Sequence, residues 1–326
     1  MLHFLRRRFL FFFFTYLISS LTIFFLLRIL PGDPARVIAG GREATEEQIA
    51  EIREELGLNA SLPAQYLSWA RDFLRGEWGD TIAFRGAINR DLIIERSINS
   101  ARLALVALLL SVPLSLALGV VAGLFENKLP DILISLLTLS VVSLPEFVTG
   151  LFLINIVALR WGRSELAQSL GWWFPSSSAV RANASFAEML PALWLPAFAA
   201  TLVMLAYISR LTRAGVIEEL KRDYVRTAAL KGIAWRTVIW RHVLRNALLP
   251  TITVIAISIS WLVSGLVVIE YVFGFPGLGS LLIAAIERRD LLLVQAIAMV
   301  TVTVILFANL SADVAYALLN PRVELG

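Results

Sequence analysis

The stretch of this sequence with the clearest capacity for chemistry is DYVRTAALKG, residues 223–232. It lies within residues 209–248, a 40-residue interval that contains nine lysines or arginines. Guanidinium and ammonium groups donate charge-assisted hydrogen bonds to carboxylates and carbonyls. Because apolar runs flank the interval on both sides, the sequence indicates a basic segment beside a membrane that can bind an acidic partner.

Read as a helix, the segment EELKRDYVRTAALKG, residues 218–232, places Tyr224, Ala228 and Lys231 on one face, with Val225 and Ala229 beside them. Gly232 is predicted to end the helix. The paired alanines would let another backbone come close, while the neighbouring cations bind its polar groups. A plainer interpretation stays open, in which the basic loop only touches anionic lipid headgroups.

A second helix is predicted directly after this stretch, over WRTVIWRHVLRNALLP, residues 235–250. Trp235, Val238, Ile239 and His242 fall on one side of it. This pattern is typical of a helix that lies in the membrane interface and then bends into the bilayer.

Glu146 is the most unusual single residue. It lies midway along an apolar run, residues 132–159, and directly follows Pro145. A carboxylate is costly at that depth, and such residues usually face a water-filled cavity or a partner. Two interpretations stay open: Glu146 lines a translocation path and favours a cationic group, or it is protonated or hydrogen-bonded and fills the gap beside a proline kink.

The segment VFGFPGLG, residues 272–279, combines turn-forming residues with aromatic rings. It is predicted either to be an interfacial turn anchored by Tyr271, Phe273 and Phe275, or to act as an outer gate or docking ridge. The candidate gate residues are Phe273, Phe275, Pro276, Gly277 and Gly279.

The sequence lacks the motifs and residue types that several kinds of chemistry require. The sequence has no G-x-x-x-x-G-K-[ST] phosphate-binding loop and no H-E-x-x-H motif. It contains no cysteine and only two histidines, His3 and His242. We therefore predict no catalytic residue, no metal site and no cofactor in this chain. The net charge of +4 is concentrated beside membrane segments, so nucleic acid is not a predicted partner.

The elements around these residues are predicted to be membrane helices. The chain is 58% hydrophobic with a mean hydropathy of +0.76, well above a soluble domain. A helix needs about 20 apolar residues to cross a bilayer. Six segments qualify and predict an all-α polytopic membrane protein: Phe9–Leu27, Leu103–Leu124, Ile132–Leu159, Pro191–Ile208, Leu248–Ile269 and Leu291–Leu310.

The distribution of charge predicts the orientation of these spans. Residues 209–247 have a net charge of +6, and Arg6, Arg7 and Arg8 precede the first span. Residues 28–100, by contrast, sum to −3. Since basic residues favour the inner side, both termini are predicted to be cytoplasmic.

Three sections of the chain follow from this orientation. Residues 1–27 form a tail and the first span, residues 28–100 an outer loop, and residues 101–326 a five-span core that includes the inner loop 209–248. The outer loop is predicted to contain two short amphipathic helices. One starts at a Thr45–Gln48 capping box and ends at Gly57, and the other ends at Gly76. Both would pack on the membrane surface or on the outer ends of spans.

Six motifs, in order and at matching spacing, resemble the permeases of binding-protein-dependent ATP-binding-cassette importers, in their dipeptide/oligopeptide/nickel branch. In the wider family the inner loop has the pattern Glu-Ala-Ala-x-x-x-Gly. Arg226, Thr227 and Ala228 stand at its first three places here, which departs from the wide pattern but agrees with the peptide branch. Besides this inner loop, the six motifs are RILPGDPA, LGLNASLPAQYLSWARDFLRGEWG, SLPEFVTGLFLI, RLTRAGVIEEL, IEYVFGFPGLGSLL and DVAYALLNPRV.

The resemblance implies a type I importer permease fold that works by alternating access in a bacterial or archaeal cytoplasmic membrane. It also implies three kinds of partner besides membrane lipids: a homologous second permease, two ATPase subunits that bind ATP and magnesium, and a periplasmic or lipid-anchored substrate-binding protein. The residues implied in coupling to the ATPase are Asp223, Tyr224, Arg226, Thr227, Ala228, Ala229, Lys231 and Gly232.

Two other classes of function remain to be weighed against this one. A signalling or scaffold subunit would use the basic loop to bind a cytoplasmic protein without passing any solute. An ion-driven secondary transporter would need no ATPase, and it usually has more spans and more intramembrane charge. The substrate stays open among peptides, nickel complexes, glutathione, sugars and opine-like compounds. With no cysteine and no histidine in a span, a peptide-like solute is favoured over a bare soft metal ion.

Overall fold

The structure is a computed structural model that describes most of the chain. The described residues are 2–29, 35–36, 39, 44–55, 57–81, 84, 88–169, 171, 174–181 and 184–319, without the side chains of 2–5, 27, 29, 55, 249, 253, 256, 260, 263–264, 312 and 315–319. Most of the RILPGDPA motif and the end of the DVAYALLNPRV motif lie outside this part of the chain.

Fourteen α-helices are named within the described residues. They are α1 (Leu2–Ile29), α2 (Glu46–Glu55), α3 (Leu62–Arg75), α4 (Asn89–Leu124), α5 (Leu129–Val142), α6 (Glu146–Leu153), α7 (Glu165–Ser169), α8 (Phe186–Leu220), α9 (Asp223–Leu230), α10 (Trp235–Thr237), α11 (Leu244–Ala247), α12 (Leu249–Phe273), α13 (Leu278–Glu287) and α14 (Leu291–Leu319). Two π-helical segments, Ile154–Trp161 and Val238–Val243, continue α6 and join α10 to α11.

Within the described ranges, four helices are long and apolar enough to cross a membrane, and the number rises to as many as seven if each bent pair of helices is one span. The first, second, fourth and sixth predicted spans lie in the four continuous helices α1, α4, α8 and α14. The fifth lies in α12. The all-helical membrane architecture predicted from the sequence is therefore confirmed.

The third predicted span is not one continuous helix. α5 and the helix that starts at Glu146 meet at an angle of 106°. Pro145 explains the position of the break, because proline has no backbone N–H and disfavours a helical conformation at the residue before it. The chain instead leaves α5 at Ser143 and starts a new helix at Glu146.

The chain divides into two compact units. One unit contains the chain up to Ser100 together with Gly277–Ser311, and the other contains Ala101–Pro276 with the end of α14. Residues 277–311 thus belong to the same unit as the N-terminal part of the chain.

Within the first unit, the predicted outer-loop helices are present as α2 and α3. The Thr45–Gln48 capping box is confirmed, with Gln48 N donating to Thr45 Oγ1 at 3.3 Å and Thr45 N donating to Gln48 Oε1 at 3.0 Å. α3 packs on the end of α1, where Arg28 Nε donates to Gln65 Oε1 at 3.0 Å and the buried Phe24 ring meets Tyr66.

The second unit is built around α8, which packs against α5, α6, α11 and α12. Many of its residues are buried, including the run from Leu193 to Leu205 at helical spacing. Thr201 Oγ1 lies 3.4 Å from the carbonyl of Ala107 in α4, which ties these two spans together. α8 therefore joins the core of this unit to the segment that follows it, α9.

The prediction that Phe273 and Phe275 are interfacial anchors is wrong. Both side chains are at most 1% exposed and belong to the apolar core of the second unit. Of the three aromatic residues, only Tyr271 is exposed. Since Gly277 and Gly279 are buried too, the predicted gate residues other than Pro276 present little surface to a docking protein in this conformation.

Candidate functional site

α9 ends where the sequence predicts, but it begins later than residue 218, because α8 ends at Leu220 and Arg222 has extended backbone. Asp223 is its first residue, and Thr227 Oγ1 donates to the Asp223 carbonyl at 2.9 Å. After Leu230 the chain turns at Gly232, whose φ is +72° and whose N–H donates to the Ala229 carbonyl at 3.0 Å. A left-handed residue at this place suits glycine, which pays no steric penalty there.

One face of α9 is held by this chain itself. Val225 and Ala228 are buried in an apolar cluster with Val216 of α8 and with residues of the segment after α9. Ala228 therefore supports α9 from within, whereas Ala229 is exposed. The other buried members of the cluster are Val238, Val243, Leu244 and Ala247.

A polar network closes the same junction. The Tyr224 hydroxyl donates to Glu219 Oε2 at 2.5 Å and accepts from Asn246 Nδ2 at 3.4 Å. Burial, and then the Glu219 carboxylate, raise the pKa of Tyr224. Tyr224 thus links α8, α9 and the segment 235–247, so that the three move together.

The outward side of α9 is different in character. We call its exposed residues the coupling surface: Asp223, Arg226, Thr227, Ala229, Leu230, Lys231 and Gly232. Leu230 is 80% exposed, which is unusual for leucine beside so many charges. Neither Arg226 nor Lys231 has a carboxylate partner among the described residues. The surface therefore offers two free cations around an apolar centre.

The segment that packs against and braces α9, residues 235–247, does not bury the side that was predicted for a regular helix. Its middle is π-helical, so successive residues are offset from the α-helical period. Val238 and Val243 point inward, while Trp235 and His242 are exposed. Gly215 of α8 lies against the backbone of Ala247, where a Cβ would meet the Ala247 carbonyl oxygen. This close approach fixes α8 against the bracing segment.

An ion pair that the sequence analysis missed joins α8 to α5. Arg213 Nε lies 2.5 Å from Asp131 Oδ1, and Arg213 Nη2 donates to Asp131 Oδ2 at 2.7 Å. The Asp131 side chain is 4% exposed and also accepts from the Asn127 N–H at 2.8 Å. The sequence signal was a carboxylate directly before one apolar run and an arginine shortly after the end of another, 82 residues apart.

The break between α5 and α6 opens beside a cavity of about 680 Å³ in the second unit. Among the described residues that line it, Glu146, the first residue of α6, is the only charged one. Tyr207 of α8 and Trp261 of α12 line it as well. Along α8, Tyr207 lies about 9 Å from Arg213, at 1.5 Å per residue. Two of the helices that form the cavity, α5 and α8, thus carry the Asp131–Arg213 pair.

Metal binding is a separate question. Among the residues that the structure describes, no group of three or more histidines and carboxylates is placed to hold a metal ion. The site geometry consists instead of a braced cationic surface and a cavity with one carboxylate.

Comparison with known proteins decides the family. A family described as "Binding-protein-dependent transport system inner membrane component" matches residues 115–325, more than half of the chain. The chain belongs to this family. An N-terminal family of membrane components of the same transport systems matches residues 1–87.

Individual relatives of this inner membrane component agree along nearly the whole chain. It is 36% identical over 302 residues to the probable peptide ABC transporter permease protein y4tP of Sinorhizobium fredii, covering 93% of each chain. It is 33% identical over 310 residues to the glutathione transport system permease protein GsiC of Shigella flexneri, covering 95% of each chain. GsiC of Pectobacterium atrosepticum is likewise 33% identical over 310 residues.

The resemblance predicted from the six motifs is therefore confirmed. This inner membrane component is a transmembrane permease subunit of an ABC importer, with a type I permease fold. Its family is that of the permease component and not of the catalytic subunit. The comparisons give no support to a scaffold subunit that passes no solute.

Proposed function

We propose that this chain, together with a homologous second permease, forms the path through which an ATP-driven importer carries peptides or peptide-like solutes across the cytoplasmic membrane. The names of its relatives support a peptide-type cargo. A separate binding protein would deliver the solute, and two ATPase subunits would supply the energy. The charge distribution supports an orientation with both termini and the loop 209–248 in the cytoplasm.

One observation supports the coupling role most directly: α9 is braced on one side and free on the other. Val225 and Ala228 are buried against this chain, whereas Arg226, Leu230 and Lys231 face outward. A flexible loop would absorb a displacement applied to it, but a braced helix transmits it. We infer that the ATPase subunit binds the coupling surface through its own carboxylates and an apolar recess.

The transmission from α9 to the path has a physical route within the second unit. A displacement of α9 moves α8, because the two share the cluster around Val216 and the Tyr224–Glu219 hydrogen bond. α8 moves the start of α5 through the Asp131–Arg213 pair. Both α8 and the α5–α6 break line the cavity, so its shape changes with the position of α9.

Reconstitution tests this function. The complete complex is placed in proteoliposomes with ATP inside and the binding protein outside, and uptake of a labelled peptide that the binding protein holds is measured. We expect uptake that requires ATP, the binding protein and this chain together. A control complex has the phosphate-binding lysine of the ATPase subunits replaced, which removes the contact to the β- and γ-phosphates.

Two outcomes would contradict the proposal. Uptake that persists in the ATPase-deficient control would indicate an ion-driven transporter. No uptake of any peptide that the binding protein binds, from a complex that still hydrolyses ATP, would indicate a subunit that docks a cytoplasmic protein without passing solute.

A further inference from the structure

The cavity beside the α5–α6 break is mostly apolar and has one acidic group among its described lining residues. Its walls come from α5, the start of α6, α8 and α12. Glu146 is the only carboxylate among the described residues that line it, and most of the others are aliphatic or aromatic. The volume of about 680 Å³ is within the range of small-molecule sites.

The Glu146 carboxylate has no partner within the described part of the chain. It makes no hydrogen bond and no ion pair there, although it is half-buried. A carboxylate in apolar surroundings without a partner is costly, and the cost falls when a cation meets it. Of the two forms of the alternative interpretation, a hydrogen-bonded Glu146 has no supporting contact among the described residues, and a protonated Glu146 would give no preference for an ammonium group.

The neighbouring rings suit the same kind of ligand. Tyr207 and Trp261 line the cavity together with Glu146. Aromatic faces attract ammonium groups through cation–π interactions, and aliphatic walls accommodate an apolar body. The cavity therefore combines one anionic contact with a surface for the uncharged part of a solute.

We propose that Glu146 binds the ammonium group of the transported solute, foremost the free amino end of a peptide, while the solute passes this cavity. The inference rests on the proposed function, since it assumes that the cavity belongs to the transport path. It adds a chemical class to that function: solutes with an ammonium group pass faster than otherwise identical solutes without one.

The first test compares one peptide in two forms, with a free amino end and with an acetylated one, neither form containing lysine or arginine. Each form is supplied with enough binding protein to be fully bound, and initial ATP-dependent uptake is measured. We expect Glu146→Gln to slow uptake of the free-amine form about tenfold or more, since a hydrogen bond to a charged group is lost, and to leave the acetylated form unchanged. Glu146→Asp should recover part of the loss, and Glu165→Gln, an exposed carboxylate on α7 outside the cavity, should have no effect.

A second test does not depend on the cargo. The chain has no cysteine, so Leu144→Cys places a single thiol on the cavity wall. Its rates of modification by a cationic and an anionic methanethiosulfonate are compared in the assembled complex. We expect the cation to react preferentially, and Glu146→Gln to reduce that preference about tenfold. The added Glu165→Gln control should leave the preference intact.

The outcomes separate this inference from the proposed function. Wild-type complex without any ATP-dependent uptake contradicts the proposed function. Normal wild-type uptake with an equal effect of Glu146→Gln on both peptide forms, or an unchanged reagent preference in the second test, contradicts the role of Glu146 alone.

Discussion

Replacing Gly232 by valine is expected to uncouple ATP hydrolysis from transport while the complex still assembles in the membrane. Gly232 has a φ of +72°, and a Cβ there would meet no heavy atom within 4 Å. The cost is therefore backbone strain alone, on the order of 1–3 kcal/mol, and it is largest for a β-branched residue. The chain can relieve it only by changing the turn between α9 and its bracing segment, which weakens the support that this segment gives to α9.

The measurement is solute taken up per ATP hydrolysed, from both rates in the same proteoliposomes. We expect this ratio to fall about tenfold for Gly232→Val, since a strain near 1.4 kcal/mol corresponds to that factor. Gly232→Asn should retain most of it, because asparagine tolerates the left-handed region. Gly57→Val is a matched control with a φ of +63° and equally open surroundings in the outer loop.

The electrostatic part of the same prediction concerns Arg226 and Lys231. Both are exposed and have no carboxylate partner among the described residues. Reversing either charge, Arg226→Glu or Lys231→Glu, should repel the carboxylates expected on the ATPase subunit and lower the same ratio. Normal coupling in these variants and in Gly232→Val, or an equal loss in Gly57→Val, would contradict the role given to α9.

The second large effect is expected at the Asp131–Arg213 pair. Arg213→Ala leaves a carboxylate that is 4% exposed without its cation, and because the Arg213 side chain is itself 31% exposed we expect a loss of about 1–3 kcal/mol. We expect a lower unfolding temperature and, in the fraction that remains folded, uptake reduced more than ATP hydrolysis. Arg213→Lys should be intermediate, because lysine cannot make the two parallel hydrogen bonds.

A second ion pair between the same two regions of the chain is the control. Lys221 Nζ lies 3.0 Å from Glu126 Oε1, and both side chains are at least 36% exposed. Exposed pairs contribute about 0–1 kcal/mol, so Lys221→Ala should change neither stability nor coupling by much. Equal effects of Arg213→Ala and Lys221→Ala, or equal losses of uptake and hydrolysis in Arg213→Ala, would show that the buried pair does not transmit motion.

The features predicted well from the sequence are local ones. The Thr45–Gln48 capping box and the ends of α3 and α9 at glycines depend on residues within one helical turn. The long apolar segments are equally plain, because a bilayer requires about 20 such residues in a row. The resemblance of the motifs to a permease family then predicted the fold that these helices form.

The features that the sequence analysis missed depend on distant contacts. Pro145 predicts a bend, but packing against α8 and α12 sets its angle of 106°. Phe273 and Phe275 looked like interfacial rings because turn-forming residues surround them, and only the folded unit buries them. The π-helical turn after α9 changed which side of that segment faces inward, and no residue type specifies such a turn.

We have proposed that an ATPase subunit binds the coupling surface, and cross-linking tests this contact directly. Because the chain has no cysteine, Ala229→Cys introduces one exposed thiol on that surface, and Leu74→Cys introduces one on α3 of the outer loop. A short thiol-to-amine cross-linker is added to membranes that contain the transporting complex, and the adducts are identified by mass. We expect an adduct between Ala229→Cys and an ATPase subunit, and no adduct between Leu74→Cys and an ATPase subunit. A complex that transports normally while Ala229→Cys forms no adduct with any ATPase subunit would contradict this proposal.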